Sequence, residues 1–280
     1  MDASRANQCI GVFDSGLGGL TVVHRLMDEL PAERIVYLGD CARVPYGTKS
    51  AQTVRTFAAQ DAAFLMRHNP KLIVAACNTA SAYALEHLRG HLPVPVIGVI
   101  RPGVRRALAA SAGGPVGVIA TEGTIASGAY QREFEAMSPG RTVLTGSCPL
   151  PVPIIEEGRS EDDPIVLAVL SDYLHALQRE RPGVLVLGCT HYPLLAGAIG
   201  KLMGPHVELV DSGHAAALAV KTYLGEQDLT RGEGVSSLEC FTTDNPQRFA
   251  SVAERFLGRA VRAPQWVGTD ELMCQTVEDS

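Results

Sequence analysis

Short runs of β-branched and aliphatic residues alternate along the chain with longer segments of helical period. The runs Cys9 to Phe13, Arg34 to Leu38, Leu72 to Ala76, Val94 to Val99, Val116 to Ala120, Val184 to Leu187 and Val207 to Val210 read as strands. Parallel strands are joined by crossover helices and buried on both faces, so near-continuous apolar strands separated by helical segments predict parallel βα units. Gly18-Gly19 leads into a helix whose Leu20, Val23, Leu26, Met27 and Leu30 recur at three-and-four spacing until Pro31. A second helix is predicted from Pro164 to about Arg181, before Pro182-Gly183.

No Pro/Ser linker or low-complexity segment divides the chain, but an internal echo does. Leu72-Ile-Val-Ala-Ala-Cys77-Asn-Thr79 and Val184-Leu-Val-Leu-Gly-Cys189-Thr-His191 are each an apolar strand ending in cysteine and a polar residue. Val12-Phe-Asp14-Ser15-Gly16 precedes the first cysteine by nearly the interval that separates Ile119-Ala-Thr121-Glu122-Gly123 from the second. The pattern predicts two related α/β halves rather than the short period of a solenoid.

A length of 280 residues fits one large domain or two ordinary ones. With 46% hydrophobic and 19% charged residues, the chain is packed and globular, which excludes disorder as its main state. The net charge of −6 and the absence of any Lys/Arg cluster longer than Arg105-Arg106 argue against a nucleic-acid partner. The start MDASRANQCIG has no basic patch followed by an apolar stretch, and no apolar run approaches the roughly 18 residues of a spanning helix. The expectation is a soluble, cytoplasmic protein without a membrane partner. The seven cysteines are widely spaced, with no C-x-x-C pair, and are expected to be reduced thiols.

Ligands of open parallel sheets bind beyond the carboxyl ends of the strands. Asp14-Ser15, Cys77-Asn78-Thr79, Thr121 and Cys189-Thr190-His191 all fall at such ends, and two facing halves would bring them to one cleft. A cysteine just before a helix start is expected to have its thiolate stabilised and its pKa lowered from about 8.5. One such cysteine is commonly an inert core residue; a matched pair suits a particular task. One thiolate removes a proton from carbon while the opposing thiol delivers a proton to the other face, inverting a stereocentre. Asp14 and His191 are placed to tune Cys77 and Cys189, and Glu156, beside Glu157, is a third candidate acid or base. Each also has a structural reading, as a cap, a turn residue or a solvated carboxylate.

The turn Asp14-Ser-Gly-Leu-Gly-Gly19 fails the dinucleotide spacing, since Thr21 stands where a third glycine is needed, and no Walker motif follows. It suits the approach of backbone N–H groups to a small anion such as a carboxylate. His87 and His91 have helical spacing, but Leu88 replaces the glutamate of a zinc motif and Gly90 marks a helix end, so no metal is expected. A serine hydrolase is unsupported because no G-x-S-x-G elbow occurs.

Seven motifs occur in order: Gly11-Val-Phe-Asp14-Ser15-Gly16-Leu-Gly-Gly-Leu-Thr21; Tyr37-Leu-Gly-Asp40 with Pro45-Tyr46-Gly47; Ala76-Cys77-Asn78-Thr79-Ala80-Ser81; Gly117-Val-Ile-Ala-Thr121; Cys148-Pro-Leu-Pro-Val-Pro153 to Glu156; Gly188-Cys189-Thr190-His191-Tyr192-Pro193; and Asp211-Ser212-Gly213. Together, across most of the chain, they resemble the cofactor-independent glutamate racemases of the aspartate/glutamate racemase superfamily. The resemblance implies an α/β fold of two αβα domains with parallel-type sheets, related by a pseudo-twofold axis, with the active site in the interdomain cleft. Residues 1–98 and 210–262 would form the first domain, 99–209 the second and 263–280 a C-terminal tail. It further implies an isomerase, a cytoplasmic homodimer that interconverts L- and D-glutamate for bacterial peptidoglycan without pyridoxal phosphate, metal or other cofactor.

By the same resemblance Cys77 and Cys189 are the catalytic thiols, Cys77 facing the D and Cys189 the L enantiomer. Asp14, Glu156 and His191 match supporting acid/base residues. Ser15, Tyr46, Gly47, Asn78, Thr79, Thr121 and Thr190 match substrate contacts, together with Asp14 and His191. A neutral cradle of Asn, Thr and Ser side chains with backbone N–H groups can hold the carboxylates of glutamate without a strong cation. Closure of the halves to exclude water is expected to help carbanion formation. Competing readings are a sister racemase acting on aspartate, a cysteine-nucleophile hydrolase or transferase needing one thiol, and a two-lobed binding module of periplasmic type.

Overall fold

The computed structural model describes residues 3–273; Cys274 and the rest of the expected tail to 280 lie outside the described residues. The strands are β1 (Cys9–Asp14), β2 (Arg34–Gly39), β3 (Pro70–Ala75), β4 (Val96–Gly98), β5 (Val116–Ala120), β6 (Val143–Ser147), β7 (Val184–Gly188), β8 (Glu208–Asp211), β9 (Ser237–Thr242) and β10 (Gln265–Trp266). They form two sheets, ordered β10-β9-β2-β1-β3-β4 and β6-β5-β7-β8. Every pairing is parallel. The order β2-β1-β3-β4 therefore recurs as β6-β5-β7-β8, and the echo read from sequence is a repeated topology.

The central strands β1, β3, β5 and β7 are buried along their whole length, as expected where helices cover both faces. The helix Leu20–Glu29 buries Leu20, Val23, Leu26 and Met27, and its C-terminus falls two residues before Pro31. The helix Pro164–Glu180 has Pro164 at its first position and Asp163 as cap, accepting from the N–H of Ile165 at 2.8 Å. One apolar cluster runs from Ile10 and Leu26 through Ala216 and Val220 of the helix Ser212–Glu226 to Leu185 and Leu187 of β7, so the two halves share a core. No helix among the described residues is long and apolar enough to cross a membrane.

Three boundaries differ from the sequence reading. Val210 and Asp211 pair with Val186 and Leu187, so the second sheet keeps two residues assigned above to the first domain. Gln265 and Trp266 pair with Phe241 and Thr242, which makes the start of the supposed tail an edge of the first sheet. The helix Leu85–His91 runs through Gly90 and ends one residue later.

Candidate active site

A cavity of about 250 Å³ opens where the two sheets face each other. Ser15, Cys77, Thr121 and Cys189, each within two residues of the carboxyl ends of β1, β3, β5 and β7, all line it. Asn78, Thr79, Thr190 and His191 add polar atoms, while Val44, Pro45, Leu150, Val152 and Pro153 supply an apolar wall. No lysine or arginine is among the described lining residues, as a neutral carboxylate cradle requires. Tyr46 and Gly47 line the cavity as well, and a β-carbon at Gly47 would stand 2.7 Å from that of Thr121. The side chains of Thr79, Thr121 and Thr124 form a triangle of hydroxyls, each 3.0 Å from the next, linking the halves.

The glycine-rich turn after β1 packs directly on the second half. Thr21 donates its hydroxyl to the carbonyls of Gly18 and Thr190, both at 2.9 Å. The turn thus abuts the backbone that carries Cys189 and His191.

Cys77 follows β3 and caps the helix Asn78–Tyr83, its sulfur accepting from the N–H of Ala80 at 3.5 Å. It also lies 3.7 Å from the Ser15 hydroxyl. Burial and the Asp14 charge push the Cys77 thiol up to about 12, against smaller opposing effects from Ala80 and Ser15. The expected lowering at a helix start is overturned here: the helix is only six residues long, and desolvation of the buried thiolate dominates. Cys77 therefore rests as the thiol. Asp14 is buried at the end of β1, accepts from the N–H of Gly16 at 3.0 Å, and leaves Oδ1 without a hydrogen-bond partner. Burial raises its carboxyl above the usual range, against the His191 charge and the N–H groups of Gly19 and Gly16. It is not among the cavity-lining residues, and its charge is felt at Cys77.

On the opposite side, Cys189 lies 3.9 Å from Nδ1 of His191, and Nε2 of His191 lies 2.8 Å from Oε1 of Glu156. Burial alone would favour the neutral ring, but the hydrogen bonds and charges of Cys189 and Glu156 outweigh it and raise His191 to about 10. The geometry chooses between two neighbouring carboxylates: Glu156 meets His191, and Glu157 is exposed. Glu156 is not itself a lining residue of the cleft and touches it through His191.

Tyr46 is buried, and its hydroxyl is bound to Asp40 and to Asp61, the latter at 2.9 Å. Arg43 bridges the same carboxylates at 2.7 and 3.0 Å, and Thr243 donates to Asp40 at 3.0 Å. Tyr46 thus lines the cleft with its hydroxyl already engaged, and this network fixes the segment from Arg43 to Thr48. Asn78 donates to Tyr130 at 2.9 Å and to Ser212 at 3.3 Å, while its buried Oδ1 has no partner. Sequence reasoning did not single out Arg43, Asp61, Thr124 or Tyr130. Ser212 stood only within the Asp211-Ser212-Gly213 motif, the one signal that could have found it.

Fold and site together define an isomerase of the amino-acid racemase class. Residues 10–220 match the model of the Asp/Glu/Hydantoin racemase family, and the chain belongs to that family. It is 47% identical over 252 residues to a glutamate racemase of Geobacter metallireducens, covering 90% of this chain and 93% of the relative. Among solved structures, it is similar to glutamate racemase isoform RacE1 of Bacillus anthracis, with a TM-score of 0.90, 37% identity, and 93% and 97% of the two chains covered. The glutamate racemase of Francisella tularensis, solved in complex with D-glutamate, gives a TM-score of 0.88 and 41% identity, with 95% and 99% covered.

Proposed function

We propose that this protein interconverts L- and D-glutamate with two thiols and no cofactor, supplying D-glutamate for bacterial peptidoglycan. The observation that carries the reading is the pair Cys77 and Cys189, which leave topologically equivalent strands and line one cavity. In the L-to-D direction Cys189, 3.9 Å from the imidazolium of His191, acts as the base and takes the Cα proton. Cys77, held as the thiol, gives a proton to the opposite face. Asp14 supports Cys77, and Glu156 with His191 supports Cys189. Ser15, Asn78, Thr79, Thr121 and Thr190 receive the carboxylates and ammonium, with the unpartnered Oδ1 of Asn78 available to a donor. Tyr46 and Gly47 shape the wall opposite Thr121.

The two sheets are the two domains, with crossings after Gly98 and after Asp211. The enzyme works in the cytoplasm as a homodimer. Incubation of purified protein with L-glutamate, followed by chiral chromatography, tests the substrate: D-glutamate accumulates to an equal mixture, while L-aspartate persists. Racemisation of L-aspartate in preference to glutamate would contradict the assignment. Sedimentation at micromolar concentration tests the dimer.

A further inference from the structure

Racemisation by two thiols leaves the enzyme in a protonation state opposite to the one in which it began. After an L-to-D turnover, Cys189 holds the proton taken from Cα, and Cys77 has lost the one it delivered. Before another L-glutamate reacts, the Cys189 side must release one proton and Cys77 must regain one. Both thiols are buried, at 7% and 6% exposure, and face the substrate cleft, so release while the cleft is occupied needs another route.

Glu156 provides one. A second cavity, of about 130 Å³, is lined by Glu156 together with Cys41, Asp244, Arg248, Phe249 and Val252. Asp244 and Arg248 are exposed, so this cavity opens to solvent. Cys189 and His191 line the cleft and not the second cavity, Glu156 lines the second cavity and not the cleft, and Val44 lines both. The 2.8 Å contact between His191 and Glu156 crosses the wall between them. The Glu156 side chain is 25% exposed against 5% for His191, which puts the solvent contact of this pair on the carboxylate.

We propose that the second cavity is a proton-exchange port, through which His191 and Glu156 reset Cys189 between turnovers without opening the cleft. The inference rests on the two-thiol reading above. Cys189 and His191 together gain one proton per L-to-D turnover and lose it from Nε2 of His191 to Glu156, which passes it to water in the port. Each transfer breaks one N–H or O–H bond and forms another, the electron pair staying on the atom the proton leaves. The protons that remain are redistributed between Sγ and the ring. In the D-to-L direction the same path runs inward. The charged and titratable groups around Glu156 include His191 and Asp14 on the cleft side and Asp244, Arg248 and Cys41 on the port side. Burial pushes the Cys41 thiol up to about 12, so it stays a neutral wall.

Val252 lines the port and not the cleft, so Val252→Phe fills the port without touching substrate groups. Rapid-quench measurement with L-glutamate should show linear product formation for the parent enzyme. The variant should form one D-glutamate per site at the parent rate and then turn over at least about tenfold more slowly. Glu156→Gln, which keeps a hydrogen bond to His191 but relays no proton, should be at least as slow in the steady state, and its first turnover should slow as well because the charge beside His191 is lost. Formate should restore the steady state of Glu156→Ala, a rescue that a merely structural role would not give. If Val252→Phe does not fold, the two Glu156 variants decide. Linear turnover at the parent rate in a folded Val252→Phe, or a steady state of Glu156→Ala that formate does not restore, would overturn the port. Absence of any D-glutamate from the parent enzyme would instead remove the two-thiol reading itself.

Discussion

Gly18 packs so closely on Thr190 that a β-carbon there would stand 2.2 Å from the threonine Oγ1. The same atom would lie 2.5 Å from the ring of His191. The missing side chain is what lets the turn after β1 meet the backbone carrying Cys189, across the boundary between the halves.

Gly18→Ala must therefore displace the turn or the Thr190 and His191 side chains at the site. Overpacking of this kind costs about 1–3 kcal/mol, and displacement of reacting groups by about 1 Å can cost about a hundredfold in rate. The variant is expected to lower kcat more than it raises KM, measured by a coupled assay for D-glutamate. A kcat unchanged in a folded Gly18→Ala would contradict the packing argument.

The pH dependence of stability follows from His191, raised from 6.5 to about 10 in the folded protein. A raised histidine pKa means that the folded state binds the proton more tightly than the unfolded state. Its contribution is full below about 6.5 and is lost as pH rises through about 10. The stability difference between the parent and His191→Asn, from urea unfolding at a series of pH values, should shrink steadily across that window.

Asp14 carries the opposite consequence for design. Its carboxyl is raised by burial, so charging it at neutral pH costs stability, and the cost grows as pH rises above 3.8. Asp14→Asn should raise the melting temperature at pH 7 relative to the parent, with little gain at pH 3.5, while lowering kcat. This is the familiar exchange of stability for function at an active site. A melting temperature that falls at pH 7 would show that the carboxylate is stabilising there.

The network beneath the cleft makes a separate prediction. Tyr46→Phe leaves Asp40 and Asp61 short of a donor in a buried setting, where an unsatisfied polar group costs about 1–3 kcal/mol. Burial and the Asp40 charge already push the Asp61 carboxyl well up. Denaturant unfolding should report the loss in stability. Because the Tyr46 hydroxyl is engaged by these carboxylates, kcat/KM should change less than in Asn78→Ala.

Much of this was legible in the chain because β1, β3, β5 and β7 are buried on both faces and must be continuously apolar. Edge strands carry no such demand. β6 reads Val-Leu-Thr-Gly-Ser and is only half-buried, and β9 exposes Ser237 and Glu239, so neither was predicted. β3 begins at Pro70 rather than Leu72, and Lys71 within it is fully buried. Its ammonium donates to the carbonyls of Ala6 and Leu229 at 2.9 and 2.8 Å and to Glu33 at 2.5 Å, partners remote in sequence. At the site, repetition exposed Cys77 and Cys189. The contacts of Asn78 with Tyr130 and of Tyr46 with Asp61 join segments that share no period and no motif, so only the fold shows them. The pKa of Cys77 was misjudged because sequence shows a helix start but not the burial that outweighs it.

The central claim is that two thiols act on opposite faces of one glutamate, and isotope entry at Cα tests it most directly. Purified protein is incubated with L-glutamate in D2O, and optical rotation and Cα deuterium are followed, for the parent and for Cys77→Ser and Cys189→Ser. The account predicts loss of rotation with deuterium entering Cα, and a drop of about a hundredfold or more in racemisation for each variant. Racemisation that survives removal of either cysteine, or a folded parent enzyme that leaves L-glutamate unchanged, would contradict it.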